Sequence, residues 1–195
     1  MTVTVNTTTT ITFEDEGLKV ELPAVPIEDS IIHNGVDAIG FLTLDDYMEY
    51  VEYDFPMEVE FIQGNSRNIH YFGGDIRGWV EEREEKSMHV FPVGVYEHGG
   101  IEYSLAGTSV HSSDPWDYVV GGLIAIPDDF TNPKEAAESI LREYTSWCNG
   151  DVYVTWVGCL EAGEWTWDTC GGWFGYDAAE EGLKVNVDYY SKESK

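Results

Sequence analysis

Four side chains between residues 98 and 117 have the types that metal binding and hydrolysis use. His98 precedes the segment HSSDPWD (111–117), which spaces His111, Asp114 and Asp117 three residues apart. Because oxygen-rich ligand sets favour Ca²⁺ or Mn²⁺, one hypothesis is a metal-dependent hydrolase built on these four residues. The other is a turn, in which the Asp side chains bond nearby amides and Trp116 packs inward. The turn is the preferred interpretation, since the spacing alone is a weak signal, and no catalytic residue, metal or cofactor is assigned.

Two glycine-containing segments approach known catalytic motifs without completing them. GTSVH (107–111) has a histidine where the second glycine of a nucleophile elbow belongs, and no helix is predicted after it. CGGWFG (170–175) lacks the lysine and the strand-to-helix order of a phosphate loop. We therefore expect the second segment to be a tight turn of glycines and aromatic residues against the core.

The charge of the chain is its most unusual property. The 195 residues include 37 Asp and Glu against 10 Lys and Arg, a net charge of −27. Phosphate recognition needs basic residues, so direct binding to nucleic acid is excluded, and so is binding to anionic membranes. Three explanations remain: a solvated surface without a partner, halophilic adaptation, and mimicry of nucleic acid, in which carboxylates stand in for phosphates.

Charge density sets a condition on the mimicry hypothesis. Duplex DNA carries on the order of one charge per 100 Å². A globule of this mass exposes roughly 9,000 Å², so an even distribution would be about threefold too dilute. The acids must therefore concentrate on one face. Eleven acids and no base lie between Lys19 and Arg67, and eight acids and no base lie between Arg142 and Lys184.

The most acidic segment, DDYMEYVEYDFPMEVEF (45–61), has the pattern of an amphipathic helix followed by a strand. Its apolar residues recur at helical spacing from Leu44 to Val51, Pro56 ends the helix, and residues 57–61 alternate. The carboxylates then face solvent, where tyrosines serve as anchors if they are exposed. The predicted partner-binding residues are Asp45, Asp46, Glu49, Glu52, Glu58, Glu60, Tyr47, Tyr50 and Tyr53.

The remaining patterns predict an α+β fold, a mostly antiparallel β-sheet system with two main α-helices at about 44–54 and 133–148. Asn132 is the predicted cap of the second helix and Pro133 its first residue. We expect strands at 2–13, 18–22, 31–42, 89–96, 101–105, 119–126, 152–159, 164–169 and 183–190. The predicted regions are an acidic β-rich region with one helix (1–66), a loop or boundary (67–88) and an α+β region (89–195), either distinct or in one compact unit.

The second half resembles a family of small proteins encoded by phages and other mobile elements. Its members carry HSG, then WDSG with a further glycine, GDVY after a helix, and SCWGFYG. The counterparts here are HGG at 98–100, WD at 116–117 with Gly122, GDVY at 150–153, and TCGGWFG at 169–175. Tyr118 and Val119 replace the family's Ser-Gly, and Gly171 replaces its Trp. The resemblance implies a phage origin and leaves the mechanism open, because no activity is attached to the family.

These observations favour an acidic inhibitor of the phage type. Its expected partner is a basic host protein, plausibly a nucleic-acid-binding defence complex of the anti-CRISPR or anti-restriction sort. The alternatives are an acidic protein-binding module without mimicry and the metal-dependent hydrolase.

Cys148, Cys159 and Cys170 are expected to be reduced and buried, because their number is odd and no CxxC pair occurs. With no membrane-length apolar run and no secretory signal, the expected location is the cytoplasm of the host cell.

Overall fold

A computed structural model of the chain describes residues 3–6, 10–13, 18–46, 53, 60–62 and 76–193. The fold is α+β with mostly antiparallel sheets, as predicted. The strands are β1 (Val3–Asn6), β2 (Thr10–Phe13), β3 (Leu18–Glu21), β4 (Ile32–His33), β5 (Ala38–Leu44), β6 (Glu60–Ile62), β7 (Met88–Glu97), β8 (Ile101–Leu105), β9 (Tyr118–Pro127), β10 (Val152–Glu161) and β11 (Glu164–Phe174). The helices are α1 (Ile76–Glu85), α2 (Pro133–Cys148) and α3 (Tyr176–Glu193).

The chain divides into two compact units. Unit 1 contains residues 1–50 and 151–195, and unit 2 contains residues 51–150. The two ends of the chain share a unit because β5 pairs with β10 along seven residues, from Tyr153 opposite Leu44 to Cys159 opposite Ala38. The boundaries of these units differ from those of the three regions predicted from the sequence.

Unit 1 is built around β5, which is buried on both faces. Its four-stranded sheet has the order β11-β10-β5-β4, and a separate sheet has the order β1-β2-β3. Leu42 packs against Leu183 and Val187 of α3, whereas Phe41 packs with Phe13 of the three-stranded sheet. Gly40 permits the close approach of α3, because an added Cβ would lie 2.7 Å from Leu183 Cδ1.

Unit 2 consists of one sheet with two helices. Its strand order is β6-β9-β7-β8, and every neighbouring pair is antiparallel. The inward face of α2 contributes Ala137, Ile140, Leu141 and Tyr144 to a core that includes Val95 of β7. The predicted cap of α2 is confirmed, since the side chain of Asn132 accepts a hydrogen bond from the backbone nitrogen of Glu135 at 3.4 Å.

The sequence-based assignments were most accurate in the second half. The strands predicted near 89–96, 101–105, 119–126, 152–159 and 164–169 are confirmed within a few residues, as is the helix at 133–148. The strand predicted at 183–190 is wrong, because these residues lie in α3. The predicted loop at 67–88 contains α1, and the single strand predicted at 2–13 includes two antiparallel strands.

The predicted acidic helix at 44–54 falls mostly outside the described residues. Leu44 is the last residue of β5, and Asp45 and Asp46 follow it outside any helix. Residues 47–52 and 54–59 are not described, so Tyr47, Glu49, Tyr50, Glu52 and Glu58 have no assigned position. Glu60 lies in β6, where the backbone alone is described.

Candidate partner-binding surface

Asp45 and Asp46 lie at one end of the four-stranded sheet of unit 1, beside acids from the second half of the chain. The backbone nitrogen of Asp45 donates to the carbonyl oxygen of Val152 at 2.8 Å, which extends the pairing of β5 with β10. Asp151 therefore lies at the same end as Asp46, and both carboxylates are exposed. The carbonyl oxygen of Asp151 accepts a bond from Gly175 at 2.9 Å, and this brings the first turn of α3 to the same place.

Asp177 completes this group of carboxylates. It is exposed and is the acidic residue of the first turn of α3, where the positive end of the helix dipole stabilises negative charge. Asp45, Asp46, Asp151 and Asp177 are called the sheet-end acids below. Sequence reasoning identified Asp45 and Asp46 but missed Asp151 and Asp177, because only the pairing of β5 with β10 brings residues about a hundred positions apart together.

Asp45 has a structural task in addition to its charge. Its Oδ2 atom accepts a hydrogen bond from the backbone nitrogen of Gly172 in β11 at 3.2 Å, and the side chain is only partly exposed. The carboxylate approaches so closely that a Cβ at Gly171 would lie 2.8 Å from the same oxygen. Changes at Asp45 therefore affect both the surface charge and the anchoring of β11.

Both units are acidic over the full sequence, with nineteen acids against four bases in unit 1 and eighteen against six in unit 2, and the difference is larger among the described side chains. Residues 18–46 and 151–191 contain fourteen acids against two bases, Lys19 and Lys184, whereas residues 77–150 contain thirteen acids against five bases. The Lys184 ammonium already pairs with Glu180 at 2.7 Å. The fourteen acids are Glu21, Glu28, Asp29, Asp37, Asp45, Asp46, Asp151, Glu161, Glu164, Asp168, Asp177, Glu180, Glu181 and Asp188.

The basic residues of α1, and Lys86 directly after it, pair with acids of this helix. Arg77 pairs with Glu81 at 3.0 Å, while Arg83 and Lys86 both pair with Glu82, at 2.7 and 2.9 Å. The Lys86 and Arg83 charges lower the pKa of the Glu82 carboxyl, with the hydrogen bond from Lys86 as the largest cause. These cations therefore pair with acids of their own unit.

Tyr53 is a packing residue in unit 2. Its half-buried ring lies 5.2 Å from the ring of Tyr144 and 5.9 Å from that of Trp147, centroid to centroid. Its hydroxyl lies 3.5 Å from Glu143 Oε2. Burial, followed by the Glu143 carboxylate, raises the pKa of the phenol. The condition that made Tyr53 a contact candidate, an exposed ring, is met only in part.

The structure brings together the four residues considered for hydrolysis. Nδ1 of His98 lies 2.7 Å from Oδ2 of Asp117, and 72% of the His98 side chain is exposed. The ring of His111 stacks on Tyr96 with centroids 3.9 Å apart and planes 8° apart. Tyr96 also lies near His98, at 6.4 Å. Sequence analysis missed Tyr96, a residue of β7 whose ring lies near both imidazoles.

Asp114 organises the turn between these side chains. Its Oδ1 atom accepts hydrogen bonds from the backbone nitrogens of Trp116 at 2.8 Å and Asp117 at 3.1 Å. These two bonds are the main reason that the pKa of the Asp114 carboxyl lies below its usual value, and the nearby His98 and His111 act in the same direction. The predicted turn is therefore confirmed. The predicted inward packing of Trp116 is wrong, because 89% of its surface is exposed.

No group of three or more His, Cys, Asp or Glu side chains in the described part of the chain is arranged to hold a metal ion. Two of the clefts that the described residues form can be placed, and the second borders the loop just before His111. One, in unit 1, is lined by Asp168, Cys170 and Tyr190 among others. The other, in unit 2, lies along the β8 edge beside Arg142.

None of the three cysteines forms a disulfide. Cys159 is buried and Cys148 is half-buried, but Cys170 is exposed, contrary to the expectation of burial. Burial is the main cause that raises the pKa of the Cys148 thiol. None of the described helices is both long and apolar enough to cross a membrane.

Comparisons with protein-family models, with curated proteins and with solved structures found no match for this chain.

Proposed function

We propose that this chain is an acidic inhibitor of the phage type, which occupies the nucleic-acid-binding groove of a basic host protein. The observation that carries the proposal is the net charge of −27, together with the sheet-end acids that the pairing of β5 with β10 brings to one end of a sheet. The target class is a nucleic-acid-binding defence complex of the anti-CRISPR or anti-restriction kind, in the host cytoplasm. Inhibition by occupancy needs no catalytic residue, metal or cofactor.

The density of charge sets the requirement for mimicry. An evenly spread charge would be about threefold too dilute to imitate DNA, and the pairing of β5 with β10 gathers the sheet-end acids at one end of a sheet. A strongly negative field accelerates association with a basic groove and weakens it with acidic partners. Backbone hydrogen bonds of Asp45 and Asp151 hold this end of the sheet together, and the side chain of Asp45 is anchored by the backbone nitrogen of Gly172.

A competition experiment separates mimicry from acidic binding without mimicry. The immobilised chain is incubated with the heparin-binding fraction of a host lysate, which is enriched in basic nucleic-acid-binding proteins. Duplex DNA or single-stranded RNA is then added at constant ionic strength. Mimicry requires that the nucleic acid release the captured protein, since both ligands need the same groove. Capture that persists in saturating DNA and RNA would exclude mimicry and leave the protein-binding module.

Charge-matched variants test whether unit 1 is the contact surface. Asp46→Asn, Asp151→Asn and Asp177→Asn together remove three exposed charges and leave the Asp45 anchor intact. We expect capture to weaken about tenfold at low salt, at a few tenths to one kcal/mol for each lost charge pair. The control removes three exposed charges from unit 2 through Glu84→Gln, Glu85→Gln and Asp129→Asn. Equal losses in both variants would mean that net charge matters and the surface does not.

A further inference from the structure

The loop between β8 and β9, residues 106–117, presents two apolar side chains to solvent. Trp116 is 89% exposed and Val110 is 88% exposed, whereas the other exposed large apolar side chains of the described residues range from 44% to 70%. A tryptophan buries more area on binding than almost any other side chain and is enriched among residues that dominate interface energies. Exposing one on a short loop therefore points to a partner.

Hydrogen bonds within the loop hold Trp116 in its exposed position. The backbone nitrogen of Ser112 donates to the carbonyl of Ser109 at 3.1 Å, and that of Asp114 donates to the carbonyl of His111 at 2.9 Å. The nitrogen of His111 also bonds Ser109 Oγ at 3.1 Å. Together with the bonds that Asp114 receives, these contacts fix the turn that carries Trp116. A preorganised loop loses little conformational entropy on binding, which favours a role in recognition.

The charge near the loop is mostly negative, with Glu102, Glu138 and one cation, Arg142, in the cleft that Thr108 and Ser109 of the loop also line. No Lys or Arg occurs between Lys86 and Lys134, where six acids occur, including Asp114 and Asp117 within the loop. The pKa of the Tyr96 phenol is raised by partial desolvation and by the carboxylates of Asp114, Asp117 and Glu102. A cationic partner is complementary to this field, whereas a second copy of the chain, a nucleic acid or an anionic membrane is repelled.

Arginine is the cation that matches the side chains present. Its planar guanidinium stacks on the face of an indole and bonds carboxylates at the same time, which the lysine ammonium does less well. The chain already contains this pairing in α1, where the guanidinium carbon of Arg83 lies 4.3 Å from the ring centroid of Trp79. Trp116 offers the same ring face to solvent, next to Asp117.

We propose that loop 106–117 is a docking surface for an arginine-rich segment of a partner protein. Trp116 stacks on a guanidinium, Val110 covers the aliphatic part of the segment, and the carboxylates of Asp114 and Asp117 supply the opposing charge. The inference adds a second surface, in unit 2, to the function proposed above, and it rests on that proposal only for the positive charge of the partner.

The test uses a fluorescein-labelled oligoarginine peptide, with oligolysine of equal length for comparison, and measures binding by fluorescence anisotropy at physiological ionic strength. Trp116→Ala leaves the charge unchanged, so a loss of affinity reports the contact and not the field. We expect Trp116→Ala to weaken oligoarginine binding about tenfold, Trp116→Phe to weaken it less, and oligolysine binding to change less than oligoarginine binding. Tyr189→Ala, which removes an aromatic residue that is 54% exposed in unit 1, is the control and should bind as the wild type does.

Three results would overturn the inference. One is unchanged oligoarginine affinity in Trp116→Ala, and another is an equal loss in Tyr189→Ala. The third is a dimer of the wild-type chain, seen by sedimentation and lost in Trp116→Ala, which would assign the loop to a second copy. Melting temperatures of each variant establish that the fold is intact. Failure here leaves the nucleic-acid competition result untouched, and failure of that competition leaves this contact untouched.

Discussion

The hydroxyl of Thr145 in α2 binds the edge-facing backbone of Tyr103 in β8. Its Oγ1 atom accepts a hydrogen bond from the Tyr103 nitrogen at 2.9 Å and lies 3.4 Å from the Tyr103 carbonyl oxygen. One helical turn later, Asn149 does the same for Ile101, with Oδ1 accepting at 3.0 Å and Nδ2 donating at 2.7 Å. Side chains of α2 and its cap thus occupy the edge of β8, which would otherwise offer unpaired backbone groups to another chain.

Removing the Thr145 hydroxyl should lower the free energy of unfolding, because this hydroxyl binds the edge of β8. Thr145→Val keeps the shape of the side chain but leaves the Tyr103 nitrogen without its acceptor, at a cost of about 1–3 kcal/mol in the free energy of unfolding. Urea unfolding measures that cost, and amide hydrogen exchange at Tyr103 should accelerate. Thr145→Ser, which retains the hydroxyl, is the control. Equal stabilities for the Val and Ser variants would show that the hydroxyl contributes nothing.

Gly182 in α3 is required by the ring of Trp173. An added Cβ would lie 2.7 Å from Cζ3 and 2.8 Å from Cζ2 of that ring. Alanine improves helix propensity by about 0.5–1 kcal/mol, but overpacking costs typically 1–3 kcal/mol. The clash is the larger effect, so Gly182→Ala should lower the melting temperature.

A double mutant identifies Trp173 as the cause. Trp173→Phe removes the ring atoms that the new Cβ would meet, and it sacrifices no hydrogen bond of the described residues, because Nε1 of Trp173 is buried without a partner there. Gly182→Ala should therefore be better tolerated in the Trp173→Phe background than in the wild type. Additive effects of the two changes in thermal melting would contradict the contact.

Tyr190 and Asp168 form a hydrogen-bonded pair whose contribution to stability changes at alkaline pH. The Tyr190 hydroxyl donates to Asp168 Oδ2 at 2.7 Å, and this bond is the main cause that raises the pKa of the phenol to about 12. A raised pKa means that the folded chain holds this proton longer than the unfolded chain does. The contribution to stability is therefore complete below the usual tyrosine pKa of about 10 and is lost as the pH rises through about 12.

Replacing the carboxylate should bring this titration to lower pH. In Asp168→Asn the phenol of Tyr190 should ionise closer to its usual pKa, which an ultraviolet absorbance titration detects. Subtracting the curve of Tyr190→Phe isolates this group from the other tyrosines. Glu164→Gln, on the same strand, should leave the curve unchanged. A Tyr190 titration identical in the wild type and in Asp168→Asn would refute the pairing.

The turn at Asp114 should weaken in acid. The pKa of its carboxyl is lowered chiefly by the backbone N–H groups of Trp116 and Asp117. Its stabilising contribution is present above the usual Asp pKa of about 4 and is lost as the pH falls through the lowered value. The amide resonances of Trp116 and Asp117 should shift together in that acid range. Asp114→Asn should keep the hydrogen bonds and abolish the pH-dependent shift, whereas Asp114→Ala should lose both the bonds and the shift. A pH-dependent shift that persists in Asp114→Asn would belong to another titrating group.

The sequence alone predicted the elements whose boundaries depend on neighbouring residues. Asn132 and Pro133 mark the start of α2 because capping involves residues within one turn, and Asp114 marks its turn for the same reason. The surplus of acids was equally visible, because composition does not depend on the fold. The α+β class and the antiparallel strands of unit 2 followed from these local patterns.

The tertiary structure decided the features that depend on distant neighbours. Leu183, Val185 and Val187 alternate like a strand, yet Leu183 and Val187 are buried as one face of α3 against β5 and β10, and Val185 is left exposed. Trp116 was expected in the core because of its apolarity, but the bonds of its loop turn it outward. Asp46 and Asp151 share one end of a sheet through the pairing of β5 with β10. Burial is a property of what packs against a residue, and those partners lie too far along the chain for periodicity to identify them.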